Sequence, residues 1–96
     1  MLTKRQQVLY NAFYDSTHNN KYLDQKTEVL VGLSAAMAMD CESCVLYYLK
    51  QAKKAKITKE EISEVLAKVM AVAAGQKRLQ MKEVIEDYSI YIESYE

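Results

Sequence analysis

The chain has 96 residues, with 13 basic and 13 acidic side chains that cancel to zero formal net charge, and half of it is apolar. Phosphate binding needs a surplus of Lys and Arg, so the balance argues against nucleic acid as the main partner. The length makes a single domain, 1–96, which buries only a little over ~60% of its unfolded surface, so self-association would hide more apolar area.

No proline and only two glycines, Gly32 and Gly75, interrupt a sequence rich in Ala, Lys, Glu, Leu and Met, a composition that predicts an all-α fold. Val8, Leu9, Ala12 and Phe13 recur at helical spacing and predict a first amphipathic helix over residues 2 to about 15. Ser16-Thr17-His18-Asn19-Asn20 reads as a polar loop with His18 solvated. Asp24 is a suitable N-cap for a second helix whose buried face is Val29, Leu30, Leu33, Ala36 and Met37. Gly32 and the small residues around it would let another helix approach closely.

Asp40 is the next cap candidate, ahead of a third helix over 42–54. Lys50, Lys53, Lys54 and Lys56 lie towards its end, where cations complement the helix dipole. Thr58 and Glu61 form a capping box, and Ile62, Val65, Leu66, Val69, Met70 and Ala73 continue as an apolar face up to Gly75. A fifth helix is expected from Gln76 to about Tyr95. Its Tyr88, Tyr91 and Tyr95 would share one face, and tyrosine's large area and polar tip suit a subunit contact. The expected architecture is a compact bundle of about five helices that forms oligomers. The methionines are spaced as packing residues.

No stretch reaches the ~18 consecutive apolar residues of a membrane span, and the start lacks the apolar segment of a signal peptide. A cytoplasmic location is expected, where thiols are kept reduced and a cysteine pair is more often catalytic, redox-sensing or metal-binding than a structural staple. Cys41 and Cys44 are the chain's two cysteines. Spaced three apart at a helix start, they place both sulfurs on one face within disulfide reach. The free N–H groups and dipole at that end favour a thiolate, and a second thiol three residues on can resolve a mixed disulfide. Two other readings stand beside this one: small apolar filler, or a zinc site shared between subunits.

The run Lys26-Thr27-Glu28-Val29-Leu30, then Asp40-Cys41-Glu42-Ser43-Cys44-Val45-Leu46-Tyr47-Tyr48, then Ile57-Thr58-Lys59-Glu60-Glu61-Ile62 resembles the carboxymuconolactone decarboxylase superfamily. Within it the likeness is to the alkylhydroperoxidase D-like proteins, over roughly residues 22–88. The resemblance implies an all-α oligomer, commonly a trimer or hexamer. Its redox branch uses the Cys-x-x-Cys pair to reduce peroxides, or to pass electrons from a thiol donor to a peroxiredoxin-type protein. The decarboxylase branch generally lacks the pair.

Two positions depart from the redox branch. Tyr48 stands where a histidine follows the second cysteine by four residues, and Val29 stands where a glutamate is usual, with Glu28 one position earlier. In the branch those two groups relay the thiol proton. Tyr48 shares a helix face with both cysteines but is a poor base near neutral pH. Glu28 would point about 100° from the relay position unless the helix shifts or bends.

The implied function is a thiol–disulfide oxidoreductase with peroxidase-type antioxidant activity. Its site would be Cys41, Cys44, Tyr48 and Glu28, with a redox-active Cys41–Cys44 disulfide and no other cofactor. The alternatives are a non-catalytic oligomer or redox sensor of the same fold, and a decarboxylase-type lyase, for which only His18 could serve as base.

Overall fold

The computed structural model describes residues 1–96. Four α-helices follow in order, α1 (Lys4–Ser16), α2 (Gln25–Ala38), α3 (Glu42–Lys54) and α4 (Lys59–Asp87), and a short 3-10 turn spans Ile92–Ser94. There is no strand. Three helix starts are chemically specified. Thr3 with Gln6 and Thr58 with Glu61 form capping boxes, and the Asp24 carboxylate accepts from the Thr27 N–H. The backbone and side-chain hydrogen bonds of Thr27 hold the Asp24 carboxyl below the usual carboxylate range.

The third start differs from expectation. Cys41 itself occupies the N-cap of α3 without a side-chain cap bond. Asp40 instead closes α2, in the left-handed region at φ 55°. The Cys41 N–H then reaches back to the Ala36 carbonyl and the Asp40 N–H to the Met37 carbonyl, a Schellman closure. Lys56 and Ser89 close α3 and α4 in the same way, at φ 57° and 52°. All three positions carry a side chain where glycine is usual.

The five-helix bundle is corrected to four helices, because α4 runs unbroken through Gly75 to Asp87. It ends at Tyr88, and the left-handed Ser89 turns the chain, so Tyr88, Tyr91 and Tyr95 do not form one helix face. All three are exposed.

α2 is the central element and packs against both α3 and α4. The core is small: Val29, Leu33, Ala36, Ala52 and Ile57 are the five buried residues. Val29, Ala52 and Ile57 cluster under Leu30, Tyr48, Ala55 and Ile62. Lys26 at the start of α2 pairs with Glu61 at the start of α4, at 2.7 Å. α1 buries no residue and leaves Val8, Leu9 and Phe13 exposed.

The protomer is open rather than compact. Its radius of gyration is 19.0 Å, whereas a compact domain of this length would have about 12.5 Å. No helix is long and apolar enough to cross a membrane.

Candidate redox site

Cys41 and Cys44 are joined in a disulfide at the head of α3, with Cα atoms 5.2 Å apart. The N-cap position of Cys41 makes Cys44 the third residue of the helix. The first helical bond runs from the Val45 N–H to the Cys41 carbonyl, so the amides between them are among the unpaired donors of a helix start. The Cys41 sulfur also lies 3.7 Å from the Ser43 hydroxyl. Both cysteines are partly exposed, as disulfide exchange requires.

Cys41 lines an open, mostly apolar cleft of about 1040 Å³. Ala36 and Met37 of α2, Leu46 and Leu49 of α3, and Leu66 and Val69 of α4 form its walls. Leu66 and Val69, read in the sequence as part of the apolar face of the fourth helix, look onto this cleft. Cys44 is not among its lining residues.

Tyr48 stands one turn after Cys44 on α3, and residues four apart on a helix are surface neighbours. Its ring lies against Gly32 of α2, where a Cβ would collide with ring carbons. Burial, and then the nearby Glu28 carboxylate, push the Tyr48 hydroxyl above the ordinary tyrosine value. It therefore stays protonated, as a donor, through the neutral range.

Glu28 points to the same side of α2 as this ring, and its Oε1 lies 3.5 Å from Nδ1 of His18. The two side chains are only 17% and 21% exposed, which corrects the expectation of a solvated loop histidine. The His18 ring packs among aromatics: its centroid is 4.7 Å from Tyr14, 5.7 Å from Tyr47 and 6.4 Å from Tyr48, the last nearly parallel at 26°. With Asn19, Asn20 and Gln51, His18 and Glu28 line a separate polar cleft of about 360 Å³.

Of the four residues expected at the site, Cys41 and Cys44 are bonded, Tyr48 is one turn away, and Glu28 faces Tyr48 through its charge. The residue that sequence reasoning missed is His18. Its partners Glu28, Tyr47 and Tyr48 lie on α2 and α3, and a lone histidine among asparagines carries no local sign of them. No group of three His, Cys, Asp or Glu side chains converges to hold a metal within one protomer.

A small helical fold with a paired-cysteine helix start defines a class of thiol-bearing all-α proteins. The model of the carboxymuconolactone decarboxylase family matches residues 6–87, and the chain belongs to that family. No curated protein and no solved structure matches the chain significantly.

Proposed function

We propose that the protein is a thiol–disulfide oxidoreductase with peroxidase-type, alkylhydroperoxidase-like activity, acting through Cys41 and Cys44. The observation that carries this reading is the Cys41–Cys44 disulfide at a helix start, with Cys41 lining an open apolar cleft. A thiolate at such a position is favoured by the free amides and the dipole. Cys41 is the sulfur that a thiol donor in the cleft would reach, and Cys44 is the leaving sulfur. The cleft suits an apolar alkyl hydroperoxide or the arm of a dithiol donor, and in this reading a peroxiredoxin-type protein receives the electrons.

The active form in this reading is a homo-oligomer, a trimer or hexamer, in the cytoplasm, with the disulfide as its only redox group. A decarboxylase-type lyase is less well supported, since no base stands at the apolar cleft beyond Asp40 and Glu42 at its rim.

The test is stoichiometric alkyl hydroperoxide added to the reduced protein. The expected result is a two-dalton mass loss, abolished in Cys41→Ser and in Cys44→Ser. Unchanged mass in the native chain removes the oxidoreductase reading and leaves the non-catalytic oligomer.

A further inference from the structure

We propose that α1 of a second copy of the chain closes the Cys41 cleft. Its Leu9 and Phe13 seat on the cleft's apolar walls, and its Arg5 meets Asp40 and Glu42 at the rim. The proposal rests on the oligomeric part of the reading above and adds which surfaces meet and what their meeting completes.

Both surfaces lack a partner within the protomer. α1 buries no residue, and its aromatic contact with the rest of the chain is that of Tyr14 with His18. Arg5, Leu9, Ala12 and Phe13 recur at helical spacing and share one face. Leu9 stands about 140° around the helix from Tyr14, so this face turns away from the protomer's own body. Leu9 and Phe13 are 56% and 67% exposed.

The cleft complements that face in length and in charge. Along α3, Glu42 to Leu49 spans about 10.5 Å, and Arg5 to Phe13 along α1 spans about 12 Å. One stretch of α1 therefore reaches from the acidic rim to the far apolar wall. Lys4 and Arg5 open α1 with no acidic residue in the first turn, at the end where the helix dipole disfavours cations. Neither makes an ion pair within the protomer, and neither does Asp40 or Glu42. The second half of α4 is also exposed, but it mixes Glu83, Glu86 and Asp87 among its cations, whereas α1 has no acidic side chain before Asp15. Charge complementarity thus selects α1. The protomer's surface of 8494 Å² leaves about 2,800 Å² beyond that of a compact chain of its mass, the scale of an obligate interface.

The contact changes the site itself. Asp40 and Glu42 line the same cleft as Cys41, and carboxylates beside a thiol oppose its ionisation while a guanidinium favours it. Arg5 of the second copy supplies that cation, and the helix above it shelters the cleft from water. One copy alone holds an incomplete site.

The test is cross-linking with bismaleimidoethane of the reduced full chain carrying Leu9→Cys and Cys44→Ser, so that positions 9 and 41 hold its two thiols. The expected product is a covalent dimer of the 11.1 kDa chain that yields a peptide pair joining position 9 to position 41. Asn11→Cys in place of Leu9→Cys, about 200° around α1, is expected to give no 11–41 pair. Arg5→Glu is expected to raise the concentration of half-dissociation about tenfold, and adding Glu42→Arg to restore it. Equal yields from positions 9 and 11, or a 9–41 link only within single chains, overturn the seating of α1 when circular dichroism shows the helices intact. An oligomer that persists by light scattering in that case keeps the oligomeric reading, whereas a monomeric native chain removes both. Whether peroxide closes the disulfide is read separately and decides the oxidoreductase reading.

Discussion

The ring of Tyr48 rests on a position where any side chain would occupy its space, so the identity of residue 32 sets the geometry beside the cysteines. Gly32→Ala should force the ring to swing off α2 and repack against its neighbours, at a cost of about 1–3 kcal/mol. Urea unfolding at fixed protein concentration measures that cost, and slower alkylation of Cys44 would report the lost aromatic contact. At this scale the sequence was legible only where partners are close in the chain. Cys41 and Cys44 declared themselves because three residues of helix settle their relation. Tyr48 and Val29 were visible as departures from a pattern, with Glu28 one position before the second, but the meeting of Glu28 and Tyr48 at His18 depends on how α2 and α3 pack beneath the α1–α2 loop. Gly32 was read as room for another helix, and the structure fills that room with one aromatic ring.

Helix starts are written in short-range hydrogen bonds, and the caps at Asp24 and at Thr58 with Glu61 stand where side-chain chemistry put them. Helix ends were harder to read. Asp40, Lys56 and Ser89 all take left-handed conformations that the sequence marks with no glycine, so Asp40 was taken as a start when it is a stop. The opposite error was made at Gly75, where a glycine suggested a break and α4 continues. One glycine in a 29-residue helix lowers its stability by roughly 0.5–1 kcal/mol relative to alanine without ending it. A Cβ added at Gly75 meets nothing within 4 Å. Gly75→Ala is therefore expected to raise stability by about 0.5–1 kcal/mol, read as a higher urea midpoint. A lower midpoint would show that a neighbouring subunit lies against this position.

A compact monomer of this mass would expose about 5,700 Å², yet the protomer exposes 8494 Å². The excess, about 2,800 Å², is on the scale of obligate assemblies, whose interfaces bury roughly 2,000–5,000 Å². The exposed apolar residues include Val8, Leu9 and Phe13 on α1 and Met70, Val72 and Leu79 on α4. Light scattering is expected to give a multiple of the 11.1 kDa chain mass, and Phe13→Asp should lower that multiple. A monomer in the native protein would contradict the oligomer. The all-α class was legible from composition alone, and the short chain pointed to association. The open shape was not legible, because apolar residues at helical spacing look the same whether they face their own core or a neighbour.

The closure of α2 has a consequence for how the cysteine pair behaves over a cycle. The Cys41 N–H is held by the Ala36 carbonyl, and that bond involves neither sulfur. Opening the disulfide thus leaves the main chain of α2 and α3 anchored, and a bridge across so few residues restrains the unfolded chain by only about 2 kcal/mol. The oxidised and reduced proteins should share one shape. Such a centre is suited to repeated turnover and poorly suited to signalling, because a partner would find almost nothing in its outline to tell one state from the other.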